Sequence, residues 1–367
     1  MQSKSARGVP SNGSLEKSTF AKSPDWEGTR VFLEIVRHGS FRAASFAQNL
    51  SLNALRRRFE EFEQRCGVTL ATRGSFGIQL TAEGQKIYEA AQKMEAAYFD
   101  VLRARDQTSN KMEGRIRFAV TEGLGAFWLA PRLVEFQRAH PKLTIEMHCA
   151  MSPPDILRLE ADVAVQLSRP DNKDLMAVRL GRVHAMPFAS PSYLETYGKP
   201  ATIKDFAVHR MVLQMAPNIP SETVLRNLFP DAPVETMVAF QSNVSSTHYW
   251  SIAKGAGIGF LPTYATAMGA PVVAIDIRDE KNPARMLRSH SDIWLTCHPD
   301  AYRIARVRKL VAWLREAFSA KLYPWFADDF VHPDEFPHSF GELPAMNFFA
   351  GFSSEATAIR ALEERVS

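Results

Sequence analysis

The sequence predicts a small all-helical module followed by a longer α/β region, with one long helix between them. Three observations predict it. Residues 26 to 65 read as short helical segments, residues 81 to 107 as one uninterrupted helical pattern, and from Gly114 onward strand-like and helical runs alternate. At 367 residues the chain is long for a single core, which points to two or three domains.

Bulk properties narrow the function classes. The composition, 46% hydrophobic and 23% charged, is that of an ordinary globular protein. The formal net charge is only +4, so a surface for a polyanion has to be local. Cys66, Cys149 and Cys297 are odd in number and far apart, which argues against a disulfide framework and for a reducing cytoplasm. No apolar run is long enough to span a bilayer. Residues 1–24, "MQSKSARGVPSNGSLEKSTFAKSP", lack the apolar centre of a secretory signal and are expected to form a disordered arm.

The front module carries its chemistry in residues 39 to 62, "GSFRAASFAQNLSLNALRRRFEEF". Ser40 is placed to cap a short helix with Phe41, Ala44 and Ala47 inward, Asn49 to make a tight turn, and Ser51 to cap a second helix. On that second helix Leu55, Phe59 and Phe62 recur at i, i+4 and i+7 and form the buried stripe, leaving Leu52, Asn53, Arg56 and Arg57 opposite. Such a face suits a polyanion. An α-helix fits the DNA major groove, where arginine reaches guanine and asparagine reaches adenine, and residues near the helix N-terminus enter first. The next segment, "LATRGSFGIQLT", reads as a hairpin with Arg73 beside Gly74 and Gly77, a wing against phosphate. Ser40, Arg42, Ser51, Leu52, Asn53, Arg56, Arg57 and Arg73 are therefore the candidate DNA contacts. The bland alternative is a three-helix bundle with a solvated arginine face, and Glu60, Glu61 and Glu63 fit either.

The long pattern from Thr81 to Gln107 places Ile87, Ala91, Met94, Tyr98 and Val101 on one stripe, and "DQTSNKMEG" then reads as a hinge. Beyond it "RIRFAV", "LTIEMHCA" and "DVAVQL" are strands, with a helix in "GAFWLAPRLVEFQRAHP" and a short one in "SPPDILRLEA". The alternation suggests right-handed parallel crossovers and runs to "AYRIARVRKLVAWLREAF" near residue 318. Residues 319–367 have too many prolines for a helix and too many aromatics for a free linker, and no element is assigned there.

The stretch "FLEIVRHGSFRAASFAQNLSLNALRRRFEEFEQRCGVTLATR…IQLTAEG" resembles the winged helix-turn-helix of LysR-type transcriptional regulators, with Phe32, Gly39, Ser40, Phe41, Ala44, Ser51, Leu55, Gly67, Arg73 and Gly84 among the matching anchors. "GRIRFAVTEGLGAFWLAPRLVEFQRAHPKLTIEM", "ASPSYLETYG" and "AKGAGIGFLPTYA" are similar to that family's effector region. The resemblance implies a DNA-binding domain over 25–80 and a dimerising linker helix over 81–107, with Ile87, Met94, Tyr98 and Val101 as contacts. It further implies a two-lobed, periplasmic-binding-protein-like effector domain over 114–318. Lobe I takes about 114–187 and 272–318, lobe II about 188–271. One departure concerns the reading surface. The family usually opens its recognition helix Ser-Gln-Pro-Ala-Leu-Ser, whereas this chain has Ser51-Leu52-Asn53-Ala54-Leu55-Arg56. Phe46 and Gln48 break the usual order of the preceding helix, and Phe76 puts an aromatic at the wing tip.

Ligands of open α/β sheets sit beyond strand ends, often against helix N-termini. Thr121, Glu122, Gln166, Ser242 and Asn243 occupy such places and are the candidate effector contacts. The hydroxyls and amides of "SNVSS" suit a carboxylate, so an anionic effector is one expectation, while Gln166 leaves the charge open. Each Ser or Thr also fits a simple helix cap. Phe127, Trp128 and Phe188 are candidates for cleft wall or core.

Other motifs are set aside. "GAGIG" follows a helix and precedes a strand, the wrong order for a dinucleotide fingerprint. His148–Cys149 and Cys297–His298 are expected to be core residues of strands, and His332, Asp334, Glu335 and His338 match no metal-ligand spacing. No catalytic arrangement, cofactor motif or metal motif stands out. The expectation is a cytoplasmic DNA-binding regulator, homodimeric or homotetrameric, controlled by a small molecule. The rivals are a small-molecule-binding or enzymatic α/β protein with an incidental front, and a scaffold whose arginines dock an acidic protein.

Overall fold

The computed structural model describes residues 23–335, apart from 75–76, 107–110, 152–153, 216–220, 230–233 and 280. It divides into two compact units between Leu102 and Arg103.

In the first unit the helix ends are set by local caps. Helix α1 (Trp26–His38) starts where the Asp25 carboxylate accepts from the Gly28 amide at 2.7 Å and stops at Gly39, which is left-handed at φ 65°. The Ser40 hydroxyl caps α2 (Phe41–Ala47) at the Ala43 amide, 3.1 Å away, and Ser51 caps α3 (Leu52–Cys66) at Ala54, 3.2 Å away. Asn49 makes the turn between them at φ 51°. Phe32 stacks on Phe59 and Phe62 at 6.2 and 5.7 Å, with Leu55 fully buried beside them. The inner face of α2 differs from the expectation. Ala47 is exposed, and Phe41, Ala44, Ser45 and Gln48, at i, i+3, i+4 and i+7, turn inward. Phe46 is 92% exposed.

Strands β1 (Ala71–Gly74) and β2 (Gly77–Leu80) form the antiparallel hairpin, while Phe76 lies outside the described residues. Thr81 then caps α4 (Ala82–Asp106) by accepting from the Gly84 amide at 2.9 Å. Gly84 is required here, because a Cβ would sit 1.9 Å from the Leu70 carbonyl oxygen. Ile87, Tyr88 and Ala91 of α4 pack on the core of this unit. That accounts for Ile87, expected at the dimer contact, whereas Met94, Tyr98 and Val101 further along stay exposed.

The second unit is built on a mixed sheet. Strand β3 (Gly114–Val120) is parallel to β4 (Leu143–Cys149) and β5 (Val163–Gln166), so parallel crossovers hold there. The fourteen-residue β6 (Met176–Ala189) does not follow that rule. It runs antiparallel to β13 (Ser289–Cys297) over Met176–Ala185, then to β9 (Gly259–Pro262) and β10 (Val273–Ala274). It thereby leads the chain from the first lobe into the second. There β7 (Met211–Gln214) and β8 (Val238–Ser242) pair in parallel, and β11 (Arg278–Asp279) and β12 (Asn282–Met286) form a small ribbon.

Helix α5 (Ala130–Ala139), entered through a π-helical turn at Leu124–Leu129, lies in the first lobe. The second carries α6 (Pro191–Tyr197), α7 (Ile203–Phe206), α8 (Ser221–Leu228), α9 (Val234–Met237) and α10 (Ser245–Ala253). Val272, Ala274, Ile275, Ile277 and Leu287 join the cores of the second lobe, so the chain returns to the first lobe after residue 287 rather than at 272.

Three local readings change. Residues 154–160 form a turn instead of a helix, because the Asp155 carboxylate takes the Leu157 and Arg158 amides and Leu159 adopts φ 58°. His148 and Cys149 are exposed, since β4 is an edge strand, while Cys297 is buried as expected. His298 caps α11 (Pro299–Arg303). The glycines of "GAGIG" do end α10, with Gly255 at φ 86°, and β9 follows.

After α12 (Ala305–Ala317) the chain folds back as an arm over 319–335. Trp325 and Phe326 enter the first-lobe core, where the Trp128 ring meets Tyr323, Trp325 and Phe326 at 4.8, 5.3 and 4.9 Å. The Arg132 guanidinium lies 3.4 Å over the same Trp128 ring. Gly181 makes room for the arm, since a Cβ there would come 2.8 Å from the Phe326 carbonyl oxygen. His332 lies 3.4 Å from both Asp276 and Asp334, and its amide donates to Glu335; His338 lies outside the described residues. Trp325→Ala is expected to lower the stability of this domain by about 3–5 kcal/mol, read as a shift of the urea midpoint. A loss under about 1 kcal/mol would mean that the arm is not part of the core.

Candidate functional site

The reading face of α3 is narrower than the run of three arginines suggests. Arg58 turns back to Glu27 at 2.9 Å and joins α3 to α1. Arg56 and Leu52 are half-buried. Asn53 and Arg57 remain open, the Arg57 side chain 74% exposed with Glu61 3.7 Å away, one turn on. The oxygens of Ser40 and Ser51 are engaged as caps, Arg42 is exposed on α2, and Arg73 lies on β1 opposite Ile78. Of the three acids, Glu60 and Glu61 are exposed, whereas Glu63 accepts from the Leu70 amide at 2.6 Å and ties the end of α3 to the hairpin.

A polar network with no residue on α3 lies elsewhere in this unit and was missed in the sequence. Arg37 reaches the buried carboxylates Glu34 and Glu95, each at 2.6 Å, and Gln48 donates to Glu34 at 2.9 Å and accepts from Arg30. Burial opposes the Arg37 charge, but Glu95 and Glu34 outweigh it and raise its pKa. The network joins α1, α2 and α4. Its only sequence signal was Gln48 standing in the inward stripe of α2.

In the second unit a cavity of about 360 Å³ lies between the lobes. Thr121, Leu124 and Phe127 line it from the first lobe, and Gln214, Ser245 and Tyr249 from the second. Among the candidates, Thr121 is in the wall. Glu122 is beside it but faces elsewhere, accepting from the Ser246 amide at 3.1 Å and its hydroxyl at 2.8 Å. That carboxylate from the first lobe thus occupies the N-terminal turn of α10 in the second. Gln166 is buried and donates to the Ser168 carbonyl, Ser242 accepts from the Val244 amide, and Asn243 is exposed, so none of these three lines the cavity. Phe127 is in the wall, while Trp128 and Phe188 belong to the cores. Sequence gave no signal for His248, Tyr249, Gln214 or Met268, which reach the cavity only through the packing of the lobes.

Two family models match the chain. The model of a bacterial regulatory helix-turn-helix protein, lysR family, covers residues 26–85, and that of the LysR substrate binding domain covers residues 109–319, more than half of the sequence. The chain belongs to the LysR family. An HTH-type transcriptional regulator of Xanthomonas campestris pv. campestris is 33% identical to this LysR-family chain over 186 residues, 51% of the chain and 54% of that protein. A probable HTH-type transcriptional regulator LtrA of Klebsiella pneumoniae is 23% identical over 291 residues, 79% of the chain and 94% of that protein. The fold is similar to the full-length structure of the Vibrio cholerae virulence activator AphB, with a TM-score of 0.50 and 17% identity over 79% of this chain and 98% of that one. No helix among the described residues is long and apolar enough to cross a membrane.

Burial holds His184, His209 and His248 of this LysR-family chain below the usual histidine value of 6.5. Folded, they stay neutral; unfolded, they take up protons near that pH. Their contribution is therefore constant above about pH 6.5 and falls as the pH drops through the window between the two values. Unfolding stability measured by urea is expected to be level from about pH 8 to 7 and to decline as the pH falls below about 6.5, before the range where most carboxylates titrate. A level response through that window would show that these histidines are not held neutral.

Proposed function

We propose that this protein is a sequence-specific DNA-binding transcription regulator acting in the cytoplasm, controlled by a small molecule held between its two α/β lobes. The observation that carries the reading is the capped helix α3, which keeps its phenylalanines inward and leaves Asn53 and Arg57 open near its N-terminal half. Both side chains hydrogen-bond to base edges in a major groove. The Arg58–Glu27 ion pair to α1 and the Glu63 contact with the Leu70 amide tie that helix to its own unit before DNA arrives, which limits the ordering cost of binding.

Two such helices are needed to address half-sites in successive grooves. The exposed Met94, Tyr98 and Val101 of α4, the last 67% exposed, form an apolar strip suited to pairing two copies. Effector binding in the cavity between the lobes then favours one arrangement of the paired chains over another, and with it the spacing or bend of the DNA.

Arg57→Ala is expected to weaken binding to a specific upstream fragment about tenfold or more, while Lys86→Ala on α4 changes it less than about threefold. Electrophoretic shifts at one fixed salt concentration, with an unrelated fragment as control, check this. Equal, small losses from both would remove α3 from the reading role. Met94→Glu is expected to convert the paired species to monomer in sedimentation, and an unchanged mass would exclude this strip from the interface.

A further inference from the structure

We propose that the cavity between the lobes takes an uncharged, ring-sized apolar molecule oriented by one hydrogen bond with the Thr121 hydroxyl. This rests on the effector reading above and names the class of ligand.

The walls set the class. Leu124, Phe127, Leu167, Val183, Leu261 and Met268 supply apolar surface, and no Lys, Arg, Asp or Glu is among the described lining residues. Phe127 and Tyr249 meet edge to face at 5.0 Å, giving an aromatic wall suited to a ring. The volume, about 360 Å³, is within the range of small-molecule sites.

Several polar groups in the lining are already engaged. Gln214 donates to Ser245 at 2.6 Å, the Tyr249 hydroxyl accepts from the Ala270 amide at 2.9 Å, and the His248 ring contacts the Phe260 carbonyl at 3.0 Å. Burial keeps His248 neutral, so it offers no cation. His290 is exposed at the rim, where a ligand charge beside it would stay in water. Two lining groups differ: His248 Nδ1 and the Thr121 hydroxyl oxygen are enclosed and have no hydrogen-bond partner among the described residues. The hydroxyl can donate once and accept twice, so it pairs with either an N–H or an oxygen of a ligand, and enclosure makes leaving it unpaired unfavourable.

An anion is excluded on two counts. No side chain in the wall would neutralise it, and a buried charge without a partner is strongly disfavoured. The helix terminus that would otherwise receive it, the first turn of α10, already holds the Glu122 carboxylate through Ser246. A ligand carboxylate directed there would meet another carboxylate.

The test is thermal-shift and calorimetric titration of the full chain with matched pairs of ring compounds, indole against indole-3-carboxylate and benzyl alcohol against benzoate, with naphthalene as a ring that cannot hydrogen-bond. Neutral members are expected to bind about tenfold tighter or more than their carboxylates. Thr121→Val should weaken indole about three- to tenfold and leave naphthalene unchanged. Ala185→Phe, or Met268→Trp if the first does not fold, should abolish binding of every probe by filling the cavity. Carboxylates outbinding their neutral partners, with loss in the filled variant, would overturn the ligand class and leave the cleft reading intact. No binding by any probe, or binding that survives filling, would overturn both, while retention of DNA binding in the same preparation would keep the regulator reading separate.

Discussion

The arrangement of the effector domain depends on one contact, the Glu122 carboxylate of the first lobe capping α10 of the second through the Ser246 amide and hydroxyl. A charge-assisted bond to a helix terminus is stronger than a neutral one, and here it also fixes where charge can and cannot go. With that terminus filled from within, the described wall of the cavity is largely apolar and carries the enclosed Thr121 hydroxyl. Strand β6, shared by the sheets of both lobes, holds the walls in register on either side.

The DNA-reading unit follows the same logic on a smaller scale. Three adjacent arginines look equivalent in sequence, yet they divide between two tasks. Arg58 and its partner Glu27 join two helices, Arg56 is half-buried, and Arg57 is left open. The buried acids Glu34 and Glu95 share Arg37, and Gln48 donates a further hydrogen bond to Glu34.

Much of this was legible in the sequence where the determinants are local. Ser40, Ser51 and Asn49 announce helix ends or a turn a few residues away, and each does what its position indicated. Leu55, Phe59 and Phe62 followed from helical spacing alone. The inner face of α2 was misplaced by one position, Ala47 for Ser45 and Gln48, because a polar Ser and Gln on an inward stripe look like surface until Glu34 and Arg30 are seen beside them. Of the candidate effector contacts Thr121 lines the cavity, whereas Gln166, Ser242 and Asn243 do not, since a residue after a strand either faces the cavity or caps the next turn, and sequence does not distinguish these. The partner of Glu122 lies 124 residues away and the aromatic arm packs on a ring almost 200 residues earlier, distances at which no local pattern carries information.

The most direct measurement is calorimetric titration of benzoate into the native chain and into Glu122→Ala. If the Glu122 carboxylate fills the anion position at α10, the native chain binds benzoate about tenfold or more weakly than benzyl alcohol, and the variant binds benzoate about tenfold or more tightly than the native chain does. Equal benzoate binding by both chains, or none by either, would show that Glu122 does not control charge in the cleft.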